Sequence, residues 1–592
     1  MNRTLGPLRR LLLRTVLRRE VVALTRLLVV VLTILLALLE LGYRGAAPTS
    51  GMRQELLTGL MFGAGFVMLG AILRTLLKGQ RPRKAEIAWF LVWCSFFATD
   101  PIGLPVWDGL GIMGNLIFLG LFVFIELSRL ELGGGFTLSP ALLFTFSFIL
   151  LISVGTALLM LPKAAVRPLG LIEALFTSTS AVCVTGLSVF DIGATLTPMG
   201  LWILLLLVQL GGLGVMTFTS FFAFFFKGSN SLEEQLRIRD LSNTTLGGAR
   251  RFIIQVILFT LAVEAIGALF IFQTVPDDQF ASLGDRAFFA VFHAVSAFNN
   301  AGFSTYTNGL YEPVMRYNYA LQWVVALMIV FGGLGFGIIF NFTNYLRFWV
   351  RARVRKWTLG VPCERYPRVV TLSTKLVLFT TAGLLLFGTI AFWVFERDNA
   401  LREHDSWFGQ LTISFFGSVT PRTAGFNSVN YGALTVPTLM ITILLMYIGA
   451  SPGSTGGGIK TSTAAVALFN IFSTGRGRER VETGGREIGV MTVRRAFATI
   501  VLSLIFLGVS ITVVASLEKD HGLLPIAFEC FSAFGTVGLS MGITAELDDA
   551  ARVALTLVMF VGRVSALTLL IGVLKQVEVS NYRYPKEDIL IN

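Results

Sequence analysis

One stretch of the chain carries the residue types that bind phosphate, but in an apolar setting. The segment IGASPGSTGGGIKTST, residues 448–463, combines five glycines with Lys460. A nucleotide-binding loop of the Walker A type needs its lysine directly after the second glycine, and it lies between a strand and a helix. Gly453 and Gly458 have the required spacing, but Ile459 separates them from the lysine, and the preceding TLMITILLMY is strongly apolar. We therefore assign no nucleotide chemistry to the segment and predict that the chain is not an enzyme.

A second group of glycines recurs at a regular interval. Gly186, Gly302, Gly425 and Gly538 are spaced by roughly 120 residues, and each follows a phenylalanine by ten positions. The segments read FTSTSAVCVTGLS, FHAVSAFNNAGFS, FFGSVTPRTAGFN and FECFSAFGTVGLS, with a serine six positions before the glycine in three of them and Val419 in the remaining one. A long apolar span flanks each segment on both sides, and the part before the glycine is short and moderately polar. We predict four repeats of helix, re-entrant half-helix, extended loop and helix.

Converging glycine loops of this kind can bind a dehydrated cation. Non-helical backbone at membrane depth is tolerated only where protein buries it or where it lines a water-filled cavity. Backbone carbonyls facing one axis can replace the hydration shell of K⁺, and glycine permits the backbone conformations that this requires. The TVGL at 536–539 is close to the TVGYG loop of potassium channels. Glycines that only permit tight turns or helix contacts are the alternative, but four in register argue against it.

The composition indicates which elements position these loops. Of 592 residues, 54% are hydrophobic and 14% are charged, whereas soluble domains have about 25% charged residues. Runs such as 201–226 and 321–340 are long enough to cross a bilayer, which takes about 20 apolar residues in a helix. We predict an all-α integral membrane protein in which four helix/re-entrant pore helix-filter/helix repeats surround a central pore.

The net charge of +13 follows from topology rather than from nucleic-acid binding. The basic residues cluster at the ends of apolar spans, in 3–26, 78–84, 347–368 and 476–495. Intervening loops such as 277–285 and 546–549 are acidic or mixed, which is the positive-inside pattern. We therefore predict a multi-pass protein of the cell (inner) membrane with both termini in the cytoplasm and no nucleic-acid partner. The four cysteines form no C-x-x-C pair, so they indicate neither a zinc site nor a disulfide framework.

About four additional spans precede the repeats, at about 27–43, 56–77, 87–104 and 110–127. The basic start and the apolar 27–39 also fit a signal peptide, but the many later spans favour an uncleaved cytoplasmic N-terminus. We divide the chain into a leader with the additional spans, four pore repeats and a C-terminal tail that ends the fourth. The bounds are 1–138 for the leader, then 139–228, 229–345, 346–475 and 476–592 for repeats 1 to 4.

The repeats resemble the Trk/Ktr/HKT superfamily of cation transporters, most closely its Ktr-type membrane subunit, over residues 139–585. The resemblance rests on the four glycine segments and on the stretch 448–463. It implies potassium uptake through a selectivity filter that consists of Val184, Thr185, Gly186, Asn300, Ala301, Gly302, Thr423, Ala424, Gly425, Thr536, Val537 and Gly538. In this family a serine in place of the first filter glycine is associated with Na⁺ preference, so Gly186 points to K⁺.

The resemblance also implies partners. It predicts a homodimer that docks on a cytosolic ring of nucleotide-binding regulatory subunits of the RCK type. It implies no cofactor on this chain, with K⁺ as the transported ion, and it leaves open whether Na⁺ is a coupling or activating ion. The additional N-terminal spans depart from the usual family pattern and bear on the oligomer more than on the pore.

A second alignment lies in the helix that follows each glycine segment. It reads QLGGLGV at 209–215, FGGLGFG at 331–337, IGASPGSTGGGIK at 448–460 and VGRVSA at 561–566. We predict that all four of these helices weaken at one depth and that the third is expanded into an intramembrane gate, 448–461, below the filter. The predicted gate residues are Gly449, Ala450, Ser451, Pro452, Gly453, Ser454, Thr455, Gly456, Gly457, Gly458, Lys460 and Arg563.

Two more ionisable residues fall inside apolar spans. Glu264 lies mid-span, where an ionisable group is a functional candidate, and a buried carboxylate hydrogen-bonded to a neighbouring helix is an equal alternative. His293 precedes the second glycine, and we expect a hydrogen-bonded structural residue rather than a proton carrier. The alternative function is secondary transport of another cation or small solute through broken helices, although four filter units rather than two discontinuous helices argue against it.

Overall fold

The computed structural model describes residues 50–77, 84–99, 122, 140–227, 249–359, 371–478 and 480–573. Its helices in chain order are α1 (Ser50–Leu77), α2 (Lys84–Thr99), α3 (Pro140–Leu159), α4 (Leu171–Val182), α5 (Ile192–Thr195), α6 (Pro198–Lys227), α7 (Ala249–Thr274), α8 (Leu283–Phe298), α9 (Pro313–Arg316), α10 (Tyr319–Leu334), α11 (Phe336–Leu359), α12 (Leu372–Glu396), α13 (Trp407–Val419), α14 (Val436–Tyr447), α15 (Thr461–Gly475), α16 (Val490–Leu517), α17 (Leu523–Gly535), α18 (Asp549–Val564) and α19 (Ala566–Val573). The strands β1 (Glu482–Thr483) and β2 (Arg486–Glu487) form a short antiparallel hairpin. Single 3₁₀ turns lie at Asp277–Gln279, Gly309–Tyr311, Ala400–Glu403 and Tyr431–Ala433.

From residue 140 onward, a long helix, a short helix and a further helix follow one another in each repeat. The long outer helices α3, α7, α12 and α16 each pack against the short helix that follows, which is α4, α8, α13 or α17. The inner helices are α6, α10, α14 and α18. Within the described ranges, three helices are long and apolar enough to cross a membrane, and there are four such spans if the bent pair α10 and α11 is counted as one. The predicted mainly helical, apolar architecture is thus confirmed.

The N-terminal prediction is covered only in part. Helix α1 includes the predicted span at 56–77, and α2 covers the predicted span at 87–104 as far as Thr99. The basic N-terminus and the span at 27–43 lie outside the described residues, as does the span at 110–127 apart from Phe122. The C-terminal tail beyond Val573 also lies outside them.

Each short helix is followed, one to four residues later, by a residue in the left-handed backbone region. These residues are Val184 (φ 58°), Asn300 (φ 60°), Thr423 (φ 72°) and Thr536 (φ 49°). Left-handed conformation costs a residue with a Cβ on the order of 1 kcal/mol, and such strain persists where the surrounding structure fixes it, often at functional sites. The same cost is therefore borne at the same place in all four repeats.

The inner helices do not all break, so the prediction of four equivalent weak points is wrong for the first. Helix α10 bends into α11 by 100° at Gly335 (φ 85°), and α18 ends before Ser565 (φ 74°). Helix α6, in contrast, continues through 209–215. Its glycines serve close packing instead, because a Cβ on Gly211 would collide with the Val182 carbonyl group.

Candidate functional site

The four glycine segments, residues 184–186, 300–302, 423–425 and 536–538, lie next to one another in a closed cycle. A Cβ on each glycine would collide with the carbonyl oxygen of the middle residue of the next segment. The order is Gly186 on Ala301, Gly302 on Ala424, Gly425 on Val537 and Gly538 on Thr185. We call this arrangement the glycine ring. Its backbones approach so closely that no side chain fits at these four positions.

The backbone of each segment alternates in conformation. The first residue of each segment is left-handed, and the glycine two positions later is left-handed again, with φ of 91°, 71°, 77° and 94° in chain order. Such alternation turns successive peptide units over, so that carbonyl groups can point to one side of the chain. Glycine adopts this region without the steric cost of a Cβ.

The amide groups of the segments point back to their own short helices. The middle residues donate to helix-end carbonyls, namely Thr185 to Ser180 (2.7 Å), Ala301 to Ser296 (2.7 Å), Ala424 to Thr420 (3.0 Å) and Val537 to Ser532 (2.8 Å). Within the described residues, the carbonyl oxygens of these four middle residues accept no hydrogen bond. Buried backbone groups are normally paired, so a ring of unused acceptors is suited to a cation.

The recurring serine has a definite task, and the repeat that lacks it uses Thr420. Ser180 Oγ and Ser532 Oγ accept the amide hydrogens of Gly186 (3.0 Å) and Gly538 (3.1 Å). In the third repeat, the Thr420 carbonyl accepts the Gly425 amide at 3.4 Å. The hydroxyls of Ser296 and Thr420 instead donate to the carbonyls of Phe303 (2.8 Å) and Phe426 (2.6 Å), the residues that follow Gly302 and Gly425. The sequence pattern missed Thr420, because its hydroxyl follows Val419 by one position; allowing a one-residue offset in TPRTAG would have found it.

An open cavity of about 390 Å³ lies on one side of the ring. All four glycines line it, together with the loops that follow each segment. Among the described residues in its lining there is no lysine or arginine, and there is one carboxylate, Asp191. Asp191 is held in place by the hydroxyl of Thr307 and by the amide of Ala194 at 3.1 Å. This charge distribution favours a cation over an anion.

The loop 448–460 contacts two of the four glycine segments. The amide of Gly457 donates to Thr536 Oγ1 at 3.0 Å, and a Cβ on Gly456 would collide with the side chain of Thr423. Thr536 and Thr423 are the first residues of their glycine segments. Several of the predicted gate residues are buried here, namely Ala450, Ser451, Thr455, Gly456 and Gly457, whereas Pro452 is exposed. The sequence-predicted filter and gate residues are thus in direct contact.

The loop is also bound to the bend between α10 and α11. The amide of Ser451 donates to the carbonyl of Gly333 (3.0 Å), and the amide of Phe336 donates to the carbonyl of Gly453 (3.1 Å). Thr455 Oγ1 donates to the carbonyl of Gly332 at 3.1 Å. These bonds satisfy backbone groups that the bend leaves without helical partners, so the loop and the bend stabilise each other.

Two cationic side chains bind the loop through backbone carbonyls. Lys460 Nζ donates to the carbonyls of Gly456 (2.6 Å) and Gly457 (3.4 Å). Arg563 donates to the carbonyl of Thr455 in the loop and to that of Gly211 in α6 at 2.5 Å. In the described part of the chain, neither side chain forms a salt bridge.

Glu264 is a buried carboxylate that is hydrogen-bonded to neighbouring helices, which is one of the two alternatives expected from the sequence. It is 5% exposed and accepts hydrogen bonds from Gln209 Nε2 (3.1 Å) and Asn299 Nδ2 (2.8 Å), so that it joins α6, α7 and the end of α8. His293 likewise forms hydrogen bonds within repeat 2. In the described ranges, no group of three or more His, Cys, Asp or Glu side chains could hold a metal ion.

Known proteins are similar in sequence to this chain over most of its length. A family model described as "TrkH: Cation transport protein" matches residues 141–583. "Ktr system potassium uptake protein B" of Bacillus subtilis (strain 168) is 35% identical over 456 residues, with 76% of this chain and 96% of that protein covered. "Potassium/sodium uptake protein NtpJ" of Enterococcus hirae is 34% identical over 468 residues, covering 77% and 97%.

A solved structure shares the fold. The crystal structure of the potassium transporter TrkH from Vibrio parahaemolyticus matches with a TM-score of 0.56 at 17% identity, covering 82% of this chain and 97% of that chain. The relatives are ion transporters, so the prediction that the chain is not an enzyme is confirmed. The chain is a multi-pass membrane protein that belongs to the TrkH family of cation transport proteins.

Proposed function

We propose that the chain is the pore-forming subunit of a potassium uptake system and that the glycine ring is its selectivity filter. The closed cycle of four glycine segments, in which the carbonyl oxygens of the middle residues accept no hydrogen bond from any described residue, is the observation that carries this proposal. Carbonyl oxygens arranged around an axis replace the hydration shell of K⁺. The proposed filter consists of the twelve residues of the four segments, and the proposed pore repeats span 139–228, 229–345, 346–475 and 476–592.

K⁺ is the proposed ion for two reasons. The two curated relatives described above carry potassium uptake in their names, and one of them names sodium as well. Gly186 occupies the first filter position, where the family resemblance links serine to Na⁺. Na⁺ enters the proposal as a coupling or activating ion, and no cofactor is assigned to this chain.

The loop 448–461 is proposed as the gate. It fills the space beneath the ring and is held by the bend at Gly335, by Lys460 and by Arg563. An opening motion needs to break a small set of hydrogen bonds to backbone carbonyls. Removing the loop from beneath Thr423 and Thr536 would connect the ring to the cytoplasmic side.

The proposed assembly is a homodimer in the cell membrane with both termini in the cytoplasm. The name of the Bacillus subtilis relative places that protein in a "Ktr system", and we propose a cytosolic nucleotide-binding regulatory subunit of the RCK type as a second component here. The hairpin of β1 and β2 lies between α15 and α16, carries Arg486 and has Arg480 just before its first strand, and we propose it as part of the surface for that subunit.

Influx of Rb⁺ or K⁺ into cells deficient in potassium uptake tests the proposal. The chain is expressed alone and together with a candidate cytosolic regulator. Gly425→Ala places a Cβ against the Val537 carbonyl and is expected to abolish influx, whereas Gly383→Ala on α12 meets open space and serves as the matched control. Absence of influx under every condition would reject potassium uptake. Saturable uptake of an organic solute or of another cation in place of K⁺ would favour the secondary-transporter alternative.

A further inference from the structure

Two of the four short helices carry an ionisable side chain at the same position, and each contacts the same kind of partner. His293 and Glu529 each lie nine residues before the glycine of their own repeat. His293 Nε2 is 3.0 Å from Ser304 Oγ, and Ser540 Oγ donates to Glu529 Oε1 at 2.5 Å. Ser304 and Ser540 each lie two residues after their glycine. We call these two pairs the serine clamps.

In the clamp of repeat 2, the histidine is the acceptor. His293 Nδ1 lies 3.0 Å from the carbonyl oxygen of Phe289, which can only accept, so Nδ1 carries the hydrogen. The rings of Phe289, Phe292 and Phe426 surround His293. Such a setting favours a neutral imidazole, because an unpaired buried charge is costly. Nε2 is then a lone pair that accepts from the hydroxyl of Ser304.

In the clamp of repeat 4, the carboxylate is the acceptor. Glu529 is fully buried. Besides Ser540, it accepts hydrogen bonds from the hydroxyl of Thr544 (2.9 Å) and from the amide of Met541 (3.3 Å). The amide can only donate, so Glu529 Oε1 must accept.

Each clamp extends from the short helix into the loop above the ring. Ser304 Oγ accepts the amide hydrogen of Tyr306 at 3.1 Å, and Ser540 Oγ accepts that of Gly542 at 2.8 Å. Both serines line the cavity above the ring. One hydroxyl therefore connects a rigid helix to the backbone that directly follows the filter glycine, in the same geometry in both repeats.

The other two repeats have no such clamp. In repeat 1 the equivalent Thr177 donates to the Glu173 carbonyl of its own helix (2.8 Å), and Ser188 donates to the carbonyl of Phe190. In repeat 3 the equivalent residue is Phe416, which has no polar side-chain atom. Since the glycine ring follows the order of repeats 1, 2, 3 and 4, the two clamped segments lie diagonally opposite each other.

We propose that His293 and Glu529 are positioning residues that set the ion selectivity of the glycine ring. This inference rests on the proposed function as a cation filter. A site that discriminates ions by carbonyl spacing needs supporting groups that hold its geometry within about 0.5 Å. The two clamps fix the backbone after Gly302 and Gly538, so an ionisable side chain supports both ends of one diagonal of the ring, whereas in the described residues the other diagonal has no such pair.

Serine variants test the proposal while leaving both short helices intact. Ser304→Ala and Ser540→Ala each remove the donor of one clamp and are expected to lower the K⁺/Na⁺ influx ratio by about tenfold, the effect of losing one hydrogen bond to a buried or charged acceptor. Ser188→Ala, at the same position of repeat 1, is expected to keep the wild-type ratio. Glu529→Leu removes the acceptor of this clamp, so Glu529→Leu combined with Ser540→Ala should lower the ratio no further than Glu529→Leu alone, because both changes break the same bond.

The outcomes separate this inference from the proposed function. A wild-type protein without K⁺ or Rb⁺ influx would reject the proposed function and the clamps with it. Selective wild-type influx with ratios for Ser304→Ala and Ser540→Ala equal to that of Ser188→Ala would overturn the clamps alone. If an alanine variant unfolds in detergent, Ser304→Cys and Ser540→Cys, which keep the volume and a weak donor, replace it and are expected to give intermediate ratios. Wild-type ratios in the cysteine variants would then overturn the clamps.

Discussion

Arg563 donates a hydrogen bond to the backbone carbonyl of Thr455 and so ties the end of α18 to the loop beneath the glycine ring. Its second terminal nitrogen donates to the carbonyl of Gly211 in α6. The side chain is 6% exposed, and among the described residues its Nε has no partner. One guanidinium therefore joins three repeats at the depth of the proposed gate, and its bonds are the most direct restraint on loop movement.

Arg563→Gln is expected to raise basal Rb⁺ influx about tenfold in cells that lack the regulatory subunit. The change removes a charge and one of the two bonds, each of which contributes on the order of 1.5 kcal/mol or more because the donor is charged. Arg563→Lys should give an intermediate increase, since an ammonium group cannot match the planar fork of a guanidinium. Unchanged or reduced influx in both variants would argue that Arg563 supports the fold rather than closure.

Shortening the loop is expected to raise flux further. Deleting residues 453–456 removes the contacts of the loop with Phe336 and Thr423 and the acceptor of Arg563. Rb⁺ influx through the chain expressed alone is the measurement, with Pro452→Ala, a change at an exposed position of the same loop, as the control. Equal influx in the deletion variant and in the wild type would reject a gating role for the loop.

The bend at Gly335 gives a separate test. Gly335→Ala places a side chain at a φ of 85° and 2.5 Å from the Pro452 carbonyl oxygen, so both strain and a collision oppose it. We expect a loss of stability on the order of 1–2 kcal/mol together with altered Rb⁺ influx. Gly337→Ala, two residues later in α11, meets open space and is the matched control. A melting temperature and influx equal to those of Gly337→Ala would show that the bend does not depend on this glycine.

The repeats were predictable because each one contains the same local sequence pattern. A phenylalanine, a short amphipathic helix and a glycine at fixed spacing recur four times, and the left-handed residues before each glycine in the structure follow from the same need to end the helix there. The convergence of the four loops on one axis is an expectation from the repeat pattern itself. The contact of each glycine with the next segment depends on long-range packing that no local pattern encodes.

Other features could not be read from the sequence for physical reasons. The GG pair at Gly211 and Gly212 has the same composition as a helix break, but whether glycine bends a helix or admits a neighbour depends on what packs against it. Likewise, the two hydrogen-bond donors to Glu264 belong to other elements: Gln209 lies in α6, and Asn299 lies at the end of α8. Such polar networks become visible only when the helices are placed together.

A buried histidine outside the spans predicts a pH dependence of stability. His404 is 1% exposed and its Nδ1 lies 2.9 Å from the hydroxyl of Tyr319. Burial lowers the pKa of His404 below its ordinary value of 6.5, and Arg316 acts in the same direction, against Glu403 and Asp405. Below its ordinary pKa, His404 therefore binds a proton more readily in the unfolded chain than in the folded chain. The contribution of neutral His404 to the free energy of unfolding is present above the ordinary pKa and is lost as the pH falls below it. Melting temperatures in detergent between pH 8 and pH 5 should fall less steeply for His404→Gln than for the wild type; equal slopes would contradict this.

Substitution of Gly186, the glycine of the first segment, gives the sharpest test of ion selectivity. Gly186 has a φ of 91°, and a side chain there would collide with the carbonyl oxygen of Ala301. Gly186→Ser must therefore displace either its own segment or that of Ala301, which changes the spacing of the carbonyl oxygens that the proposed filter offers to K⁺. We expect a strongly reduced total influx, as for the equivalent change at Gly425, and a lower K⁺/Na⁺ ratio in the influx that remains, measured as stronger competition of Na⁺ with Rb⁺. Gly383→Ser adds the same side chain to an unconfined position on α12 and should leave the competition unchanged. If Gly186→Ser transports Rb⁺ with wild-type Na⁺ competition, the first segment is not part of the filter.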